Sequence, residues 1–158
     1  MFTLIHTVLS LVGIVAGLVV AGGLAGGKLL DRWAVVFVVT TVATSVTGFG
    51  FPFVTLLPSH IVGVVSLVVL AAVIVAQYVQ HFAGAWRRTY AAGVVLATYF
   101  NTFVLVTQLF RRLPALIVAA PTQSEPPFAI TQGLVLALFV WLAVVADKGF
   151  RAASAGTA

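Results

Sequence analysis

The 158-residue chain has no cysteine and only three acidic residues, Asp31, Glu125 and Asp147. The missing cysteine excludes disulfides, thiol redox chemistry, Cys-ligated iron–sulfur clusters and thiolate zinc sites. The scarcity of acids excludes mechanisms built on paired carboxylates, and no hydrolase signature or nucleotide-binding loop is present. Charge of either sign is rare: 7% of residues are charged, 62% are hydrophobic, and the mean hydropathy is +1.21. So little polar surface cannot clothe a soluble domain of this size. The chain is therefore expected to be solvated by lipid, where each spanning segment must satisfy its own backbone hydrogen bonds. Barrel strands alternate apolar and polar residues. The runs here stay apolar for about 20 residues, the helical length that crosses ~30 Å of hydrocarbon.

What is present is a series of five such runs, at roughly 3–24, 34–54, 60–80, 89–110 and 128–146. They predict an all-α bundle of five transmembrane helices over 1–147, followed by a short tail, 148–158, in which "RAASAGTA" (151–158) has no reason to order. The first run is long enough to span and is not preceded by a basic residue, so it reads as a span rather than a signal peptide. The piece "LPALIVAA" (113–120) is too short to cross and is expected at the interface or folded back. Glycines and Pro52 in "TGFGFPF" (47–53) should loosen and end the second span.

The formal charge of +5 would suggest nucleic acid in a soluble domain, but the basic residues cluster at the ends of the apolar runs. Lys28, Arg32, Arg87, Arg88, Lys148 and Arg151 fall on one side of a five-span topology, and Arg111 and Arg112 on the other. The positive-inside rule puts the former side in the cytoplasm and the N-terminus outside. Trp33 and Trp86 would then sit at the cytoplasmic interface, as would His81.

Depth follows from orientation. His6, His60, Asn101, Gln108 and Gln132 fall in the outer half of their spans, as do Thr44, Ser45 and Thr47. His6, Ser10, Gly13 and Gly17 share one helical face, and Gly13 and Gly17 form a GxxxG pair that admits a close neighbour. Tyr90, Ala97, Asn101 and Gln108 share a face of the fourth span. His60, Leu67, Ala71 and Tyr78 share one of the third. Threonines and serines are also ordinary packing residues between membrane helices, and they bond back to their own helix. In the 111–127 connector, "TQSE" has the outline of a capping box from Thr122 to Glu125. The alternative is a cap at Ser124 or Glu125, with proline at the first helical position. A salt bridge with Arg111 or Arg112 is the plain expectation for Glu125.

These positions predict a polar outer-leaflet pocket lined by His6, His60, Asn101, Gln108 and Glu125, with Ser10, Gly13, Thr44, Thr47, Gln123 and Gln132 also in it. Imidazoles from two helices at similar depth are the ligand set of a haem b, here His6 and His60, serving electron transfer or sensing. With Glu125 added, the same histidines could hold zinc or copper. A third expectation, from another class, is a non-catalytic transporter, channel-like or accessory subunit, either homo-oligomeric or part of a membrane complex. Intramembrane ionisable residues are functional candidates by default, although His6 and His60 both lie near a helix end, where an imidazole can also be solvated by headgroups.

Three stretches, "HTVLSLVGIVAG", "TTVATSVTGFGFPF" and "APTQSEPPF", resemble a group of short, uncharacterised bacterial multi-span inner-membrane proteins. The resemblance covers nearly the whole chain and implies a bacterial inner-membrane protein, without an activity, cofactor or catalytic residue.

The topology has a direct test. A reporter active only in the cytoplasm, fused after Ala158, should be active, and one fused within the 111–127 connector should be silent. The opposite pattern would invert the assigned orientation.

Overall fold

A computed structural model describes residues 1–50 and 58–155, the side chains of 58–60, 154 and 155 excepted. All its elements are helical, with no strand among the described residues. In chain order they are α1 (Phe2–Ala25), α2 (Asp31–Gly48), α3 (Pro58–Ile74), α4 (Trp86–Arg112), α5 (Pro114–Ala119) and α6 (Pro126–Ala155). A π-helical turn, Val75–Val79, prolongs α3. Four helical stretches are long and apolar enough to cross a membrane: Phe2–Ala25, Ile61–Val79, Trp86–Arg112 and Pro126–Ala153. Their outward surfaces match, with Leu4, Val68, Leu134 and Trp141 among many exposed large apolar side chains.

The second predicted span fares differently. Helix α2 is not among these four, because it opens on Asp31 and Arg32 and carries hydroxyls at Thr40, Thr41, Thr44, Ser45 and Thr47. It is instead packed between α1 and α3, burying Ala34, Phe37, Thr41, Thr44 and Ser45. It ends by residue 48, and the break read at Pro52 lies outside the described residues. The expected disordered tail is also corrected. Helix α6 runs on to Ala155, through alanine-rich sequence and an i,i+4 ion pair between Arg151 and Asp147 (2.7 Å).

Helix α1 is central, packing on α2, α4 and α6, while α4 also packs on α3 and α6. The reason lies in its glycine and alanine stripe. Gly13, Ala16, Gly17, Val20, Ala21 and Leu24 form its buried face. A Cβ on Gly17 would collide with Thr98 of α4 and stand 2.9 Å from the Phe37 ring of α2. The close approach expected of GxxxG is thus made within one chain. Around it lies the core of Val20, Leu24, Phe37, Leu70, Val73, Tyr90 and Val94.

One end of the bundle gathers the α1–α2 and α3–α4 connections and the C-terminal turns of α6. Phe82 and Tyr90 meet Phe150, and the Arg87 guanidinium lies 5.2 Å above that ring. Asp147 receives both Arg88 (3.9 Å) and Arg151. His81 and Phe82 take positive φ there, as the chain turns out of the π-helical turn and the Phe82 N–H reaches the Ala76 carbonyl. At the other end α5 folds back as a six-residue helix, short as its sequence predicts. Val106, Phe110 and Ala120 form a small second core there, with Leu116 and Phe128 against it.

Enlarging the side chain at Gly17 tests this arrangement. Gly17→Val should destabilise the bundle by about 1–3 kcal/mol, the usual cost of overpacking. Thr98→Ala should recover part of the loss in a Gly17→Ala background. Unfolding in mixed detergent measures both. A Gly17→Val protein as stable as the parent would refute the close contact.

Candidate functional site

At the end where α1 and α3 begin and α2 and α4 finish, the four helices enclose a cavity of about 420 Å³. This falls within the range of small-molecule pockets, about 300–1,000 Å³. Its walls follow helical spacing. Helix α1 contributes Thr3, His6, Thr7 and Ser10, and α4 contributes Asn101, Val104, Leu105 and Gln108. Helix α2 supplies Thr44, Ser45 and Gly48, and α3 supplies Val62, Gly63 and Ser66. Arg111 and Arg112, two turns and more beyond Asn101 on α4, also line it.

His6, Ser10, Thr44, Asn101 and Gln108, all predicted as pocket residues, are therefore on one wall system. Gly13 sits just beneath. A Cβ there would lie 3.0 Å from Thr41 Oγ1 and 3.5 Å from Asn101 Nδ2, so the missing side chain leaves those polar atoms facing a shared gap. Thr47 acts through His6, whose Nδ1 lies 2.9 Å from its hydroxyl oxygen. That hydroxyl donates to the Ala43 carbonyl at 2.7 Å. Where that proton stays on the Ala43 carbonyl, the tautomer that fits is the one whose Nδ1–H donates to Oγ1. In the neutral ring Nε2 then carries the lone pair, the form in which imidazole ligates a metal or accepts a proton.

Other hydroxyls on these helices bond back to their own backbone. Thr40, Thr44, Thr98 and Thr102 donate to carbonyls four residues earlier, at 2.7–2.9 Å. Among the described residues six buried side-chain polar atoms have no hydrogen-bond partner, and Asn101 Nδ2, Ser66 Oγ and Thr41 Oγ1 are three of them. Asn101 is 7% exposed and Ser66 2%. A buried donor left unmet costs about 1–3 kcal/mol, so such groups mark places where a further molecule supplies the missing bond.

The pocket residues predicted from the connector and α6 have other partners. The amide nitrogen of Gln123 donates to the Thr107 carbonyl (2.9 Å), and that of Gln132 to the Phe103 carbonyl (3.2 Å). Both tie the connector and α6 to α4, and neither lines the cavity. Glu125 is a correction. Its carboxylate accepts from the Thr122 hydroxyl (2.9 Å) and from the N–H groups of Thr122 and Ser124, both 3.1 Å at their shortest. The ion pairs among the described residues involve Asp147, not Glu125. Local donors within three residues outcompeted the distant arginines. Both capping expectations are met in part, since the Thr122–Glu125 pair forms while α6 still starts on Pro126, with the Glu125 carbonyl accepting from Phe128 and Ala129.

Helix α3 brings a second correction. Leu67, Ala71 and Tyr78, grouped with His60 by spacing, are partly or fully exposed. The buried face runs instead through Ser66, Leu70, Val73 and Gln77. The His60 side chain lies outside the described residues. Among those that are described, no three His, Cys, Asp or Glu residues gather as a metal site, and Glu125 is turned into its own loop. Ser66 had no place in the predicted pocket, although it is the one hydroxyl in the run "IVGVVSLVVLAAVIVA" (61–76). Arg111 and Arg112 were expected as outer-side charges and partners for Glu125, not as part of the pocket wall.

No family model, no curated protein and no solved structure matches the chain.

The Glu125 loop carries a pH prediction. Desolvation raises its carboxyl pKa, but the Thr122 hydroxyl and the backbone N–H groups outweigh it and hold the value below the usual glutamate range. A depressed folded pKa means that the loop's support is complete above the ordinary value and is lost as pH falls through the lower one. The Thr122 and Ser124 amide resonances should therefore titrate with a midpoint below that of a free glutamate, and Glu125→Gln should abolish the transition. A midpoint at or above the ordinary value would contradict these hydrogen bonds.

Proposed function

We propose that this chain is a five-span protein of a bacterial inner membrane that binds a small ligand in an outer-leaflet cavity. Its N-terminus is outside and its C-terminus cytoplasmic. Helix α2 is the fifth span, its hydroxyl run shielded from lipid by α1 and α3. The bias of Lys and Arg toward the end that holds Lys28, Arg87 and Lys148 supports the orientation.

One observation carries the binding role: Asn101 Nδ2 and Ser66 Oγ, buried and without partners, stand on the wall of the cavity. Beneath it, the contact of Gly17 with Thr98 and Phe37 closes the space between the helices. A pocket closed at its base suits a bound ligand better than a conducted one, which favours binding over the transporter or channel alternative. A second reading, haem b, is favoured by the His6–Thr47 pair. A ligating histidine commonly gives its other ring N–H to a fixed acceptor, which sets the tautomer and the ring plane. His60 is the partner ligand in that reading. Zinc or copper through His6, His60 and Glu125 has no such support, given where the Glu125 carboxylate points.

The test uses the full chain purified in detergent from haem-replete cells. Native mass spectrometry should show a bound small molecule that is lost in Gly63→Leu, a substitution that pushes bulk into the cavity beside Phe49. The same bound species in both proteins would defeat the cavity as the site. An absorption spectrum decides on haem: no Soret band rejects it, and a band unchanged by His6→Ala rejects His6 as the ligand.

A further inference from the structure

The cavity wall has a chemical bias that narrows its ligand. Arg111 and Arg112 line it at one end, and no Asp or Glu lines it anywhere among the described residues. The one acid near that end, Glu125, has its carboxylate oxygens occupied by Thr122 and Ser124. Among the described residues, neither arginine forms an ion pair. A cation would meet repulsion at this mouth, whereas an anion would gain bidentate, charge-assisted hydrogen bonds.

Deeper in, the wall changes character. Leu11, Val62, Val104 and Leu105 present apolar surface, and Asn101 offers a donor with no acceptor. Asn101 and Arg111 are ten residues apart on one straight helix, which is about 15 Å along its axis. An occupant that satisfies both ends needs an acidic head, an apolar middle and a hydrogen-bond acceptor at roughly that distance.

We propose that the cavity binds a free single-chain amphiphilic acid, its head on Arg111 and Arg112 and an acceptor group far down its chain on Asn101. This rests on the binding role proposed above and names the class of ligand. A single chain suits a space near the lower end of small-molecule pockets, whereas a membrane phospholipid brings two tails along with its head.

The full chain in phosphatidylcholine nanodiscs provides the test, with three probes of equal length: ω-hydroxydodecanoate, its methyl ester and plain dodecanoate. The hydroxy acid should bind at least tenfold more tightly than the ester. The Arg111→Gln/Arg112→Gln protein should lose that preference, and Asn101→Leu should erase the preference for the hydroxy acid over dodecanoate. Both variants should keep the parent's circular dichroism, the arginine variant should keep its affinity for the ester and Asn101→Leu its affinity for dodecanoate, which shows an intact cavity. If ester and acid bind equally in the parent, the acidic class is wrong while the binding role stands. If no probe binds and Gly63→Leu releases nothing from the purified protein, the binding role falls as well. Displacement of the hydroxy acid by phosphatidic acid added to the nanodiscs would overturn the free acid in favour of a membrane lipid.

Discussion

The contact between Gly17 of α1 and the Thr98 and Phe37 side chains is the constraint on which the bundle turns. Lipid gives helices no reason to bury apolar surface against one another, since the tails are as apolar as leucine. Close van der Waals packing between small residues has to supply the cohesion. Gly17 lets α1 sit against α2 and α4 at once, and this makes α1 the central helix. Toward the end that holds Lys28 and Arg87, the stripe continues as Val20, Ala21 and Leu24 into a dense core. In the other direction, the atoms nearest a Cβ on Gly13 are polar ones of Thr40, Thr41 and Asn101, and the cavity opens beyond. The closed half and the open half are set by the same stripe of one helix.

The polar side chains divide along the same line. Thr98, buried beside Gly17, spends its hydroxyl on the Val94 carbonyl, so it packs as a small side chain with its donor already satisfied. Gln123 and Gln132 spend theirs across helices, holding the connector and α6 to carbonyls and a hydroxyl on α4. These are structural uses, the ordinary work of polar groups in a membrane bundle. Asn101 and Ser66 differ because Asn101 Nδ2 and Ser66 Oγ are buried on the cavity wall without a hydrogen-bond partner. The distinction between glue and site therefore rests on which donors have been matched, not on how polar a residue is.

Much of this was legible in the sequence. Run lengths placed α1, α3 and α4 within a few residues but stopped α6 nine residues short, and the spacing of Tyr90, Ala97, Asn101 and Gln108 identified the inward face of α4, because polar and small residues broke its symmetry. Helix α3 offered no such break. Where a helix is apolar on every side, periodicity cannot fix its rotation, and the face through His60, Leu67 and Tyr78 looked as good as the true one. Ser66 alone carried the phase. For Glu125, opposite charge nearby suggested an arginine partner, but the backbone turn at Gln123 (φ 61°) brings local N–H groups to the carboxylate first. Such a turn is a three-dimensional fact that residue types only hint at.

The two ends of the bundle also differ in how they settle charge. At one, Asp147 draws in Arg88 and Arg151, and Arg87 lies over the Phe150 ring, so three of its six cations are engaged. At the other, two helix N-termini and two C-termini surround the cavity, and their opposed dipoles offset one another. What remains is the full charge of Arg111 and Arg112. The local acid that could have neutralised them is held by Thr122 and Ser124 as the cap before α6. The turn that starts the last helix thus leaves the cavity mouth positive, which links the folding of the connector to the kind of molecule the cavity can hold.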